Sequence, residues 1–446
     1  MKIVIAGAGD LGFHLANLLA HEKQDIVLID TNQDVLDYAA THLDVFTLRG
    51  DASSVAILQE ADVANADLVL AMTTSEKTNL ITAVLSKKFG AQQAIARVEN
   101  VEYLRKEQRD IFRELGVDRL ISPVQLAANE IERLLKQCEL TDIFEFEGGT
   151  INLIGFSIDE NTPERYRTVG ELLKEYTEEQ FRPVAILRKH ETIIPREYTR
   201  LFTNDHLYFL AGNEQIESIL KAVGKVHVKV KNVMILGGSS LAYRTAQLLE
   251  DKYNVTIVEG NKEKCKYLAD KLDQALIIKA DPSNIEVLRE EGLSDMDAFI
   301  ALTPNSETNI ITSLMAESCG VYKTVALVDN MDYTHISQNI GVDTLINKKL
   351  IAANNIFRFV RKGKIEAITS LHGVDAEIIE YVVHKSNKLT KHPLKKQHFP
   401  GNAVIGAVIR GKECIIPTGE FQLEVDDKVI VFAMPDALGK LEQIFR

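Results

Sequence analysis

Gly7-Ala8-Gly9-Asp10-Leu11-Gly12 follows the apolar run Lys2–Ala6 and opens a stretch, Leu11–Leu19, whose apolar residues fall at helical spacing. A glycine pattern of this kind carries weight only between a strand and a helix, and that is its context here. Gly7 permits the tight turn, Gly9 lets a phosphate approach the backbone, and Gly12 lets the helix pack closely on the strand. The amides of the helix N-terminus then face an anion, helped by the helix dipole.

Outward from this turn the chain alternates between two periodicities. Asp25–Ile29, Val45–Leu48, Ala66–Met72 and Gln93–Val98 read as strands. Val35–Thr41, Val55–Ala61, Thr78–Phe89 and Val101–Leu115 read as helices, and Arg119–Ile121 is a further short strand. Strands apolar on both faces, alternating with helices, describe a parallel sheet covered on both sides. Gln125–Lys136 is a long amphipathic helix with Leu126, Ala127, Ile131, Leu134 and Leu135 along one stripe. It either crosses to a partner domain or subunit or caps its own sheet.

The pattern then recurs. Gly7 and Gly237 stand 230 positions apart (237 − 7), and the same register carries Asp51 to Asp281, Thr73 to Thr303 and Asn79 to Asn309. Four separated landmarks in one register indicate a duplicated module. From about Phe144 to Gly224 short β-like runs and two helical stretches, near Val169–Tyr176 and Glu214–Val223, describe a small α+β domain. This is duplicated too: Glu191-Thr192-Ile193-Ile194-Pro195 matches Glu413-Cys414-Ile415-Ile416-Pro417. The expected architecture is α/β, with two Rossmann-like doubly wound parallel-sheet domains, each followed by a small α+β domain. Its expected domains are 1–137, 138–225, 226–362 and 363–446.

Several residues of the first copy stand where a nucleotide would touch the fold. Asp30 ends the second strand, 18 residues beyond Gly12 (30 − 12), where a carboxylate accepts bonds from a ribose diol and repels a 2′-phosphate. NAD or an adenine nucleotide is therefore expected over NADP; the alternative is that Asp30 caps the next helix. Asp51, Thr73 and Thr74 lie at carboxyl ends of strands, which face the ligand cleft, although either threonine could instead be a helix N-cap. Arg97, in the apolar strand Ala94-Ile95-Ala96-Arg97-Val98, requires an anionic partner, for which a bound phosphate is the best candidate.

The second copy reads Gly237-Gly238-Ser239-Ser240-Leu241-Ala242, with serine for Gly9 and alanine for Gly12. Glu259 replaces Asp30 with a one-residue gap, and Leu327 stands where Arg97 does. A weak, differently tuned or empty site is expected there.

Composition excludes several classes. A net charge of −13 repels nucleic acid and anionic membranes. No apolar run approaches the roughly 18–20 residues that span a bilayer. The N-terminus enters a strand directly, which leaves no room for a signal peptide and implies a cytoplasmic protein. Cys138, Cys265, Cys319 and Cys414 show no CxxC or Cys/His spacing and are expected to be single reduced thiols, mostly buried. The histidines form no HExxH pattern, so no metal site is expected. No GxxxxGK[ST] loop is present. The basic stretch Lys385–His398 is either solvated surface or a contact for an acidic partner.

Taken together, the glycine turn, Asp30, Gly50-Asp51-Ala52, Thr73-Thr74, Asn79, Arg97 and the tandem order resemble the RCK (KTN) family of potassium-transport regulators. The nucleotide folds look like RCK N-lobes and the small domains like RCK C-lobes, over essentially the whole chain. The resemblance implies a cytoplasmic, nucleotide-sensing regulatory subunit, peripheral at the inner face of the cell membrane. Such a subunit gates an integral-membrane Trk-type potassium transporter or channel through conformational change driven by NAD(H) or ATP/ADP. It implies no enzymatic activity, no nucleic-acid partner and a homo-oligomeric ring, expected to be a tetramer. Its nucleotide contacts carried over are Gly7, Ala8, Gly9, Asp10, Leu11, Asp30, Asp51, Thr73, Thr74 and Arg97. The second-copy counterparts are Gly237, Gly238, Ser239, Ser240, Leu241 and Glu259. The competing expectations are an NAD-dependent oxidoreductase and a nucleotide module serving a partner outside transport.

Overall fold

Each repeat begins with six short aliphatic strands that pair in parallel in the same order. The computed structural model describes residues 1–20, 24–136, 142–146, 151–160, 162–175, 181–189, 191–212, 215–216, 219, 230–330, 342–361, 368–370, 376–384, 388–397, 399–411 and 413–445. The three domain boundaries expected at 137/138, 225/226 and 362/363 lie outside the described residues, as do Cys138 and most of the helix expected over Glu214–Val223.

The first sheet contains β1 (Lys2–Ala6), β2 (Asp25–Asp30), β3 (Phe46–Arg49), β4 (Leu68–Ala71), β5 (Gln93–Arg97) and β6 (Arg119–Ile121). Their order, β3-β2-β1-β4-β5-β6, reverses between β1 and β4, which is where a doubly wound sheet opens its cleft. The helices are α1 (Asp10–Ala20), α2 (Gln33–His42), α3 (Val55–Glu60), α4 (Glu76–Phe89), α5 (Lys106–Glu114) and α6 (Pro123–Lys136). Alternate strand residues serve opposite faces: Val4 and Ala6 pack with Leu58 and Ala61, while Ile3 and Ile5 are equally buried on the other side. The single helix expected over Val101–Leu115 is two pieces. Asn100 caps a 3-10 turn, Val101–Leu104, and Arg105 is extended before α5 begins.

A five-stranded antiparallel sheet follows, built from β7 (Asp142–Phe146), β8 (Ile151–Ser157), β9 (Phe181–Arg188), β10 (Glu191–Ile193) and β11 (His206–Gly212), with α7 (Val169–Glu175) beside it. Strand β9 starts with a bulge opposite Tyr208 and Phe209, where Pro183 has no amide to give to the ladder.

The second repeat restarts with β12 (Asn232–Leu236), α8 (Ser240–Leu249), β13 (Asn254–Glu259), α9 (Lys262–Lys271), β14 (Leu276–Lys279), α10 (Ile285–Glu290), β15 (Ala298–Ala301), α11 (Ser306–Ser318), β16 (Lys323–Leu327), β17 (Thr344–Ile346) and α12 (Lys348–Arg361). Its strand order, β14-β13-β12-β15-β16-β17, matches the first sheet strand for strand. The second satellite has β18 (Ile368–Ser370), β19 (Glu377–Val382), α13 (Lys388–Lys391), β20 (Ala403–Arg410), β21 (Glu413–Ile415), β22 (Lys428–Ala433) and α14 (Leu438–Phe445). In the basic stretch Lys385–His398, residues 385–387 and 398 lie outside the described residues, and Lys395 pairs with Glu420.

The chain divides into two compact units. The first comprises Met1–Glu130 together with Ser240–Thr245 and Ile346–Phe357, so short pieces of α8 and α12 belong with the first parallel sheet. Accordingly Gln125 of α6 accepts a 2.6 Å bond from Arg244 of α8. That contact is made by Gln125, which stands outside the apolar stripe of α6. Arg244 is half-buried there, and that desolvation holds its guanidinium below the ordinary value.

The second unit holds both satellites, packed sheet against sheet. Leu153, Val184 and Leu210 of the first meet Ile378, Ala407 and Phe432 of the second in one buried cluster. The Arg182 guanidinium reaches the Pro417 carbonyl at 2.5 Å. The other face of the first satellite sheet packs on α7 through Phe156, Phe181 and Phe209 against Leu172 and Leu173. Also within this unit, Glu132 of α6 accepts from Lys252, which follows α8, at 2.6 Å. No helix among the described residues is long and apolar enough to cross a membrane.

Candidate nucleotide-binding site

The glycine turn of the first repeat, between β1 and α1, is held from below by the end of β2. The Gly7 amide donates to the Ile29 carbonyl at 2.7 Å, and the Ala8 amide to Asp30 Oδ2 at 2.7 Å. Gly7 has φ +100°, and a side chain there would run into the Thr73 backbone, so both conformation and space require glycine. A Cβ on Gly12 would collide with the Gly7 carbonyl oxygen. Gly9 is different: a Cβ built there meets nothing. The fold itself does not require that glycine, and the open side is where a ligand would approach.

Asp30 does not cap α2, because Asn32 does so by accepting from the Asp34 amide. Instead Asp30 fastens the glycine turn through Oδ2 and its own strand end through Oδ1, which accepts from the Asn32 amide at 2.9 Å. Neither Thr73 nor Thr74 is the cap of α4; Ser75 is, accepting from the Thr78 amide. Thr73 donates its amide and hydroxyl to Asn79 Oδ1, at 2.8 and 2.7 Å. Asn79 Nδ2 in turn reaches the Thr73 and Arg97 carbonyls at 3.0 Å each. Buried Asn79 therefore laces the ends of β4 and β5 together, while Thr74 is left exposed beside the cleft.

Asp51 turns its own loop: the Ser53 amide and hydroxyl donate to Oδ1 at 2.8 and 2.7 Å and hold the carboxyl below its ordinary range. Thr82 on α4 ties the same loop down through the Ala52 carbonyl at 3.0 Å. Arg97 meets Glu99 through Nη2 at 2.9 Å, so an anionic partner for it lies two residues on, just past the end of its own strand. Its buried Nε–H has no acceptor among the described residues, which leaves part of the guanidinium for a further anion.

The second repeat reproduces this frame and alters the contacts. Glu259 takes the place of Asp30 in fact: it accepts from the Gly238 amide and, at 2.7 Å, from the Asn261 amide. Asn309 repeats the bonds of Asn79 to Thr303 and donates to the Leu327 carbonyl at 2.9 Å, which fixes Leu327 as the counterpart of Arg97. Ser239 is turned inward onto the Leu302 carbonyl at 3.0 Å. Ser240 and Leu241 open α8 as Asp10 and Leu11 open α1, without the carboxylate. Ala242 occupies the position where a Cβ would collide in the first repeat, so the Gly237 carbonyl cannot sit as Gly7's does. The Thr312 hydroxyl bonds its own helix instead of the loop that holds Asp281. A cavity of about 470 Å³ lies between that loop and the start of α11, with Asp281, Glu307 and Asp329 in its lining. Glu307 stands where the first repeat has Lys77, 230 positions earlier (307 − 77), so the charge is reversed as well as reduced.

Two signals were absent from the sequence reading. Lys349 of α12 forms a 2.5 Å ion pair with Asp10 in the glycine turn. In the satellites, Asp205 and Asp427 match in sequence, but their partners Arg188 and Arg410 are evident only in the fold.

Duplicated Rossmann-type sheets, each followed by an antiparallel satellite, define a tandem RCK-type architecture. The TrkA-N domain model matches residues 3–123 and 233–348, and the TrkA-C domain model residues 378–446. The Trk system potassium uptake protein TrkA of Halomonas elongata is 32% identical, over 100% of this chain and 99% of its own. A TrkA homolog of Archaeoglobus fulgidus is 32% identical over the full length of both. Among solved structures, the GsuK RCK domain superposes with TM-score 0.61 at 14% identity, covering 99% of this chain and 94% of that one. The GsuK channel bound to NAD gives 0.60 at 15%, covering 99% and 78%. These two share the fold. The chain belongs to the TrkA family of Trk-system potassium uptake proteins.

Proposed function

We propose that this chain is the cytoplasmic, nucleotide-sensing regulatory subunit of a Trk-type potassium uptake system, binding NAD(H) or ATP/ADP in its first repeat. The observation that carries the reading is the contrast between the two clefts. The first keeps a glycine turn open at Gly9 and an arginine with a spare buried N–H; the second has Ser239, Ala242, Leu327 and Glu307. Phosphate fits the first and is disfavoured in the second.

The relatives are Trk potassium uptake proteins, and one structural neighbour is a channel bound to NAD, which supports the same ligand class here. The proposed partner is an integral-membrane potassium transporter subunit, met at the inner face of the membrane by a tetrameric ring of these chains. The chain acts by binding and conformational change, without catalysis: a nucleotide shifts the ring only through its difference in affinity between two states. The proposed domains remain 1–137, 138–225, 226–362 and 363–446.

Isothermal calorimetry of the intact chain with NADH, NAD, ATP and ADP tests the reading. One site per chain is expected, and a second site of equal affinity would overturn the assignment of the two clefts. Co-purification with a membrane potassium-transport subunit tests the partner; retention of no such protein from solubilised membranes would count against it.

A further inference from the structure

The first turn of α12 carries Lys348 and Lys349. Positive side chains are disfavoured there, because the helix N-terminus is itself positive. The corresponding turn of α6 in the first repeat, which opens Pro123-Val124-Gln125, has no charge. Asn347 already satisfies this helix start, accepting from the Lys349 and Leu350 amides at 3.0 and 3.1 Å, so the lysines are not needed for capping.

Lys349 ends at Asp10, on the exposed side of the first repeat's glycine turn and next to Gly9. An ion pair with a largely exposed carboxylate adds little stability and does not account for a lysine in this position. Asp10 also has a cost for any phosphate on the Gly9–Leu11 amides, since it places a negative charge beside it. A cation within 2.5 Å of that carboxylate cancels the repulsion and lies within reach of the same phosphate.

We propose that Lys349, carried by the second repeat, is a phosphate ligand of the nucleotide held in the first. As the pyrophosphate docks on the glycine turn, the ammonium group exchanges Asp10 for phosphate oxygen, and occupancy of the first site is felt directly by α12. The inference rests on the nucleotide-sensing reading above. The ligand chemistry is a pyrophosphate, whether from a dinucleotide or a nucleoside di- or triphosphate.

The test is calorimetry of the intact chain with ATP, ADP, NADH and adenosine, comparing wild type with Lys349→Ala, Lys349→Gln and Lys349→Arg. Loss of a charge-assisted contact predicts at least about tenfold weaker binding of the phosphorylated ligands in the first two variants. Adenosine should bind unchanged, the arginine variant should largely recover, and the salt dependence of binding should flatten. The phosphorylated ligand that loses most affinity identifies the source of the pyrophosphate. Asp10→Asn should tighten binding. Wild-type affinity in both the alanine and glutamine variants, alongside weakened binding in Arg97→Ala, overturns this inference and leaves the nucleotide reading standing. Failure of the wild-type chain to bind any of the phosphorylated ligands overturns both.

Discussion

The Arg188 guanidinium closes on both oxygens of Asp205, Nε to Oδ1 and Nη2 to Oδ2, each at 2.7 Å. Arg410 and Asp427 repeat the clamp 222 positions later (410 − 188) at 2.8 Å. Each carboxylate also accepts an amide, from Phe202 and Glu424 respectively, and each guanidinium lies over an aromatic ring, Phe202 or Phe421. Asp205 and Asp427 are almost fully buried, so the clamp pins a tight turn to the middle of each satellite sheet. Arg410→Ala leaves Asp427 buried without its cation, with the Glu424 amide still donating to it, and is expected to cost about 3–5 kcal/mol. Calorimetric melting should show the satellite transition falling; Arg410→Lys, which cannot form the fork, should recover only part.

Gly12→Ala installs the second repeat's residue in the first. The added methyl collides with the Gly7 carbonyl, so the turn must shift to make room. Overpacking of about 1–3 kcal/mol is expected, with nucleotide binding lost in a titration while the second repeat is undisturbed. The reverse change, Ala242→Gly, should cost only about 1 kcal/mol of helix propensity.

Arg97→Ala removes the guanidinium whose Nε–H is unmatched. Nucleotide binding should weaken by about 1.5–3 kcal/mol, the range for hydrogen bonds to charged groups. Calorimetry with unchanged affinity would remove Arg97 from the site.

Cys414 is partly buried against the interface between satellites, and burial pushes its thiol up to about 11. It is expected to resist iodoacetamide near neutral pH, because the thiolate is the reactive form. Peptide mass spectrometry before and after unfolding checks this: modification at Cys414 should appear only once the satellites open. Cys265, Cys319 and Cys414 are half-buried, more exposed than the sequence suggested.

Burial pushes the Glu132 carboxyl up, but hydrogen bonds from Lys252 and Lys136 outweigh it and leave the group below its ordinary value of 4.5. A depressed native value means the carboxylate stabilises the fold above that ordinary value and loses its contribution as pH falls through the native one. Glu132→Gln should therefore melt below wild type at neutral pH, and the gap should close as pH drops well under 4.5. A gap that stays constant across that range would count against the pairing.

Much of the fold was legible because it is written locally. Continuous aliphatic strands, helical spacing and the glycine turn gave the element order, and the 230-residue register gave the duplication. The replacement of Gly9, Gly12 and Arg97 in the second repeat was equally visible. What stayed hidden depends on contacts far apart in the chain. Lys349 and Asp10 are separated by 339 positions, and nothing around either residue indicates the other. Thr73 looked like a ligand contact or a cap, yet its hydroxyl is bound to Asn79, a role that requires knowing how β4, α4 and β5 converge. Arg97's anionic neighbour, Glu99, was two residues away, but the side-chain direction that unites them is a tertiary fact.

The face-to-face packing of the two satellites has a kinetic side. Were these sheets on separate chains, their union would depend on how many copies a cell holds and would fall apart on dilution. Joined by one polypeptide, each sees the other at an effective concentration on the order of millimolar, whatever the expression level. A scarce protein can then keep this interface closed at all times. The two halves, never obliged to pair with an identical copy of themselves, are free to become different.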